Sequence, residues 1–139
     1  MGRGIQGYFY SIKMSKDFYF RSLLELNYLI LIEENSEIKS YTMEPCCIHL
    51  KNNHHYTPDL LINNELLIEI KPRDHLKYTS PERFALELEG LQEYCIKHKL
   101  NYDIWYDDQI GFISDKFRRY LKWSPELIKK YNIRFKKPL

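Results

Sequence analysis

The chain has 139 residues, 44% of them hydrophobic, with only 5 Gly and 6 Pro. That composition suits one globular domain and excludes a disordered or low-complexity protein. Lys and Arg number 21 against 19 Asp and Glu, so a net charge of +2 selects no class of partner. No apolar run reaches the roughly 18 residues of a membrane span, and "MGRGIQGYFYS" lacks an apolar signal core. Three cysteines are an odd number for a disulfide framework. The expectation is a cytoplasmic chain with no membrane partner.

In chain order, "KDFYFRSLLELNYLILIEEN" predicts a helix around Leu23, Leu24 and Glu25, stopped at Asn35. "EIKSYTME" and "CCIHLKN" predict two strands broken at Glu44-Pro45. "HYTPDLLI" and "ELLIEIK" predict two more, joined by a tight turn at Asn63-Asn64, because Asn tolerates positive φ. "SPERFALELEGLQEYCIKHK" is the clearest helix. Ser80 can cap it, Pro81 fits its first turn, and Phe84, Leu88, Leu91 and Cys95 repeat on one face. "NYDIWYD" predicts a further strand, while "SDKFRRYLKW" and "SPELIKKY" predict short helices opened by serines. This order predicts an α/β or α+β sheet covered by helices. Lys129, Lys130, Arg134, Lys136 and Lys137 make the end of the chain a basic tail from about residue 124, either solvated or phosphate-binding.

The chemistry concentrates in "PDLLINNELLIEIK", where apolar runs carry Asp59 at one end and Glu69 and Lys71 at the other. Glu69 and Lys71 are two apart, so on a strand they share a face, with Ile68 and Ile70 on the opposite one. The Asn turn brings Asp59 back toward Glu69. Two carboxylates so close repel and do not both stay ionised without a cation. Oxygen ligands of this kind suit Mg²⁺, with Mn²⁺ as a substitute, and a lysine beside such an ion can stabilise charge on a phosphate. The competing account is a Glu–Lys pair with a solvated aspartate. Cys46, Cys47, His49, His54 and His55 also fall close together, but C-x-x-C spacing is absent and neighbours on a strand face opposite ways, which argues against zinc.

Pro58-Asp59 followed by Glu69-Ile70-Lys71 resembles the PD-(D/E)XK nuclease signature. "YTPDLL...LLIEIKPRDHL" is most similar to the TnsA-type endonucleases of bacterial transposons, and also to small phage junction-resolving endonucleases. Upstream, Arg21-Ser22-Leu23-Leu24-Glu25 resembles the first helix of that family, and Glu44-Pro45 more loosely its following strand. The likeness covers roughly residues 17 to 76. It implies a restriction-endonuclease-like fold, an α/β arrangement of a central mixed β-sheet flanked by helices, in a single nuclease domain over 1–139. It also implies that Glu25, Asp59 and Glu69 hold metal and that Glu25, Asp59, Glu69 and Lys71 form the catalytic set.

The expected activity is Mg²⁺-dependent DNA cleavage in the cytoplasm of a prokaryote or phage-infected host cell. A homodimer or a transposase or recombination protein is the expected partner beside DNA. Arg21, Arg73, Lys77 and Arg83 are candidate phosphate contacts, each with solvated surface as its plainer role. Trp123 and the basic tail could bind backbone or dock a partner. Two other functions compete with a TnsA-like nuclease: a phage-type structure-selective nuclease acting in junction resolution or packaging, and a catalytically silent DNA- or protein-binding module of the same fold. TnsA-type proteins also carry a C-terminal domain for partner transposition proteins, against which this chain sets only the short basic segment.

Overall fold

The computed structural model describes residues 5–109 and 125–136. Contacts group the chain into two compact units, Met1–Lys39 with Ile110–Leu139, and Ser40–Gln109. The helix expected over 114–123, and Trp123 with it, lie outside the described residues.

The first unit opens with a hairpin that the sequence patterning did not disclose. Strands β1 (Gly7–Ser11) and β2 (Lys16–Phe20) pair antiparallel, with Phe9 opposite Phe18 and Tyr8 opposite Tyr19. "KDFYF" is therefore strand, where a helix was expected. Its Phe18 and Phe20 alternate inward with a period of two, which a helix cannot satisfy. The helix α1 (Leu23–Glu34) begins after Ser22, whose Oγ accepts from Glu25 N at 3.1 Å. Glu25 returns the favour by accepting from Arg21 N at 2.9 Å, an arrangement akin to a capping box. Asn35 ends the helix as expected.

Part of the basic segment is built into this unit. The short helix α3 (Pro125–Lys130) leads to Tyr131, whose ring stacks on Phe9 at 4.9 Å and whose hydroxyl donates to Glu34 at 2.8 Å. A final strand at Arg134–Phe135 then pairs antiparallel with β1, giving a three-stranded sheet in which β1 is central. Gly7 permits this approach, because a Cβ there would lie 2.2 Å from the Arg134 carbonyl oxygen. The Arg134–Phe135 strand is β9, and the helix of the second unit that precedes α3 in the chain is α2 (Pro81–His98).

The second unit carries a four-stranded mixed sheet. Its strands are β3 (Tyr41–Met43), β6 (Leu60–Ile62), β7 (Leu66–Lys71) and β8 (Asn101–Tyr106), adjacent in that order. The β6–β7 connection is the expected tight turn, with Asn63 at φ 52° and Asn64 at φ 58°. β7 and β8 run parallel, so they need a crossover, and α2 supplies it. Ser80 Oγ caps α2 by accepting from Arg83 N at 3.0 Å, and Lys99 closes it in the left-handed conformation.

The strands expected over "CCIHLKN" and "HYTPDLLI" are shorter and divided. A separate ribbon of β4 (Ile48–His49) and β5 (His55–Tyr56) precedes β6, with Pro58 interrupting the ladder between β5 and β6. Ile48, Leu50, Tyr56, Leu67, Leu91 and Cys95 form the buried core of this unit. The architecture is thus α/β with a mixed sheet and a few helices. Among the described residues no helix is long and apolar enough to cross a membrane.

Candidate active site

The β6–β7 hairpin brings Asp59 and Glu69 together. Leu60 pairs with Ile68, and the next step of the ladder is carried by Asp59 N donating to Ile68 O at 3.0 Å. The Asp59 side chain folds back on the same strand, accepting from Ile70 N at 2.6 Å. Its carboxyl is also within hydrogen-bonding reach of Glu69. On the other side, Glu44 N donates to Asp59 O at 2.9 Å, which places β3 beside this point through backbone contact.

Glu69 is only 9% exposed in a strand that is apolar but for it and Lys71. Its Oε1 accepts from the buried Tyr56 hydroxyl at 2.8 Å, and its Oε2 lies 3.3 Å from Lys71 Nζ. Burial raises the Glu69 carboxyl above the usual carboxylate range, and the Lys71 ammonium, Tyr56 and Asp59 only partly offset that. Burial, reinforced by the Glu69 carboxylate, drives the Tyr56 phenol far up, so Tyr56 remains a donor to Glu69.

Lys71 is held from two directions. It shares a face of β7 with Glu69, as a spacing of two requires. Across from it, Glu87 of α2 presents Oε1 at 3.6 Å, and this buried oxygen has no hydrogen-bond partner. Arg83, one turn earlier on α2, fixes the other oxygen, with Nε to Glu87 Oε2 at 2.9 Å. Arg83 also donates to His54 Nδ1 at 2.7 Å and to His55 O at 3.1 Å, tying α2 to the β4–β5 ribbon. Phe84 lies beneath the ammonium, 5.6 Å from ring centroid to Nζ.

His75 is buried nearby with its ring 4.5 Å from that of Phe84 and its Nδ1 unpartnered. Burial first, and then Lys71, lowers its pKa, which keeps the imidazole neutral.

The remaining candidates are placed as follows. Arg73 makes a two-pronged contact to Asp108, at 2.6 and 2.9 Å, and its guanidinium stacks 3.7 Å from the Tyr106 ring centroid. Lys77 is exposed and lies 3.8 Å from Asp74. Arg83 is engaged with Glu87 and the ribbon as described. Glu25 and Arg21 belong to the first unit, where Glu25 closes the start of α1 and Arg21 lies over the Tyr19 ring at 5.7 Å.

Sequence reasoning passed over Glu87 and gave Tyr56 no role. A signal for Glu87 was readable. It falls between Phe84 and Leu91 at spacings of three and four, which puts a carboxylate on the apolar stripe of α2. Tyr56 had no such signal, because its partner lies on another strand.

As a metal centre, the cluster offers oxygen donors only. Each ionised carboxylate has about four lone-pair sites, more than the protein contacts described here occupy. Mg²⁺ takes one or two protein carboxylates and completes its shell with water and substrate phosphate, so Asp59 and Glu69 fit it. The raised pKa of Glu69 marks a negative charge that a cation would relieve. Among the described residues no group of three or more His, Cys, Asp or Glu side chains gathers that could hold a metal ion, so Asp59 and Glu69 would be the only protein carboxylates of this cluster on one. Cys47 and His55 do meet, with Sγ 3.5 Å from Nδ1, but they are exposed. Comparison with protein-family models and with curated protein sequences finds no match to this chain.

Proposed function

We propose that the chain is a metal-dependent endodeoxyribonuclease of restriction-endonuclease-like fold that hydrolyses a phosphodiester bond in DNA, in the manner of the TnsA-type endonucleases it resembles. The observation that carries this reading is the contact of Asp59, Glu69 and Lys71 at one edge of the β6–β7 hairpin, with Glu69 and Lys71 nearly buried. A nearly buried acid and ammonium on one strand, with a second acid beside them, cost stability, and the proposed chemistry gives them a use.

Asp59 and Glu69 would hold the Mg²⁺ or Mn²⁺, which when bound activates water and polarises a phosphate oxygen. The chain's own groups prepare that chemistry. Ile70 N–H fixes the Asp59 carboxylate, and the Tyr56 hydroxyl fixes Glu69. Lys71 offers its ammonium to the negative charge that develops as the phosphodiester is attacked. Glu87, itself braced by Arg83, holds that ammonium in place from the helix side. Glu25 is assigned the role of an additional metal-side acid by its resemblance alone.

The test is cleavage of supercoiled plasmid and of a synthetic four-way junction with Mg²⁺, Mn²⁺ or EDTA. Wild type should cut in either metal and not in EDTA. Asp59→Ala and Lys71→Ala should each lose about 10²-fold or more in rate. Cleavage that persists in EDTA or in both variants overturns the proposal. A strong preference for the junction, with paired cuts by a dimer, would place the activity with structure-selective resolution.

A further inference from the structure

We infer that the outward face of the β2–β1–β9 sheet binds an unpaired DNA strand by stacking its bases on tyrosine rings. This goes beyond the proposed nuclease site, and every residue it uses belongs to the first unit.

Alternation assigns the two faces of this sheet. Phe9, Phe18 and Phe20 point inward and are buried. The opposite face carries Tyr8 and Tyr10 from β1 and Tyr19 from β2. Tyr8 and Tyr10 remain 39% and 37% exposed although the buried face already supplies the core. Tyr8 and Tyr19 are a direct cross-strand pair with ring centroids 5.2 Å apart. Tyr10 follows two residues after Tyr8 on the same face, opposite Asp17.

Cations lie over two of these rings: the Arg134 guanidinium 5.4 Å from the Tyr8 centroid, and Lys136 Nζ at 5.0 Å and Arg21 at 5.7 Å from that of Tyr19. Asp17 is the acidic member of the face, and it is ion-paired with Arg134. Exposed rings with cations set against them are the combination that single-stranded nucleic acid requires, a base stacking on a ring as the cation over it turns to a phosphate. A duplex hides its base faces and could engage only the cations. A second copy of the chain would present the same cation-bearing face, with Asp17 already paired to Arg134, so a twofold contact offers little charge complementarity.

The experiment uses the full chain in EDTA, so that no cutting intervenes, and a fluorescein-labelled oligothymidylate of about 15 nucleotides. Anisotropy should show saturable binding, with a duplex of the same length bound at least about tenfold more weakly. Tyr8→Ala combined with Tyr10→Ala should raise Kd about tenfold or more, while Tyr8→Phe combined with Tyr10→Phe should retain binding. Arg134→Ala combined with Lys136→Ala should reduce the slope of log Kd against log salt by about 1.4, two single-strand phosphate contacts.

Equal binding of duplex, tighter binding of oligouridylate, or Ala variants within about twofold of wild type would each overturn the inference. So would a wild-type dimer that the Tyr8→Ala, Tyr10→Ala variant dissolves without any change in oligothymidylate affinity. Loss of oligonucleotide binding leaves the plasmid-cleavage test of the nuclease untouched, and the reverse also holds. The two readings therefore fail separately.

Discussion

Glu87 confines Lys71 to the side of Glu69, because its buried Oε1 faces the ammonium while Arg83 holds its other oxygen. Glu87→Gln removes the charge that faces Lys71 while keeping the shape. Its expected effect is a fall in kcat of about 10–100-fold with KM for DNA little changed, the pattern of a displaced positioning group. A second consequence concerns Glu69. Because burial raises its carboxyl, the ionised form weakens the fold above the folded-state pKa, and this cost disappears as the pH falls below the unfolded value of about 4.3. Glu69→Gln, which can still accept from Tyr56, should therefore melt higher than wild type near neutral pH while losing cleavage. The gap in Tm should close toward about pH 4. A variant that melts lower than wild type at neutral pH would mean that the Lys71 pairing outweighs burial. At this scale the sequence was informative wherever parity decides the answer: Glu69 and Lys71 share a face because they are two apart, and the Asn turn returns Asp59 to them. Tyr56 was not legible in that way, since its hydrogen bond crosses between strands whose pairing no local pattern specifies.

The crossover α2 depends on its two ends and on one close approach. Ser80→Ala removes the acceptor for Arg83 N and should cost about 1 kcal/mol, read from chemical denaturation. Gly90 sits where α2 meets β4, and an added Cβ would fall 2.6 Å from Leu50 Cδ2 and 3.3 Å from Ile48 Cγ2, both buried. Alanine favours a helix over glycine by roughly 1 kcal/mol, but overpacking a core costs about 1–3 kcal/mol. Gly90→Ala should thus be net destabilising by about 1 kcal/mol, with Gly90→Val worse. An increase in stability would show that Leu50 swings aside without cost. This helix was legible nearly residue for residue, because cap, first-turn proline and apolar stripe all agree. The β1–β2 hairpin was not. In "GYFYS" and "KDFYF" aromatic rings occupy both faces, so the contrast between inward Phe and outward Tyr that marks a strand is faint. β4 and β5, two residues each, are too short for any periodicity to appear.

Over the whole molecule, the order of elements pointed to an α/β or α+β sheet covered by helices, the mixed pairing was implied by the resemblance alone, and the grouping into two units followed from neither. It rests on β9 pairing with β1, a contact between residues far apart in sequence. Gly7→Ala places a Cβ against the Arg134 carbonyl and should loosen β9 selectively. Hydrogen exchange would register this as faster exchange at Tyr8 and at Lys136 N, which donates to Gln6 O, with the amides of β6 and β7 unchanged. The same connectivity has a bearing on the order of events during synthesis. The segment from Ser40 to Gln109 emerges from the ribosome as one uninterrupted stretch, and its hairpin and crossover join near neighbours in the chain. The sheet that contains β1 must wait until Phe135 has been translated. During that interval one edge of β1 has no strand beside it and Phe9 lacks the Tyr131 ring that later covers it, so the nascent chain is exposed to misassociation over β1.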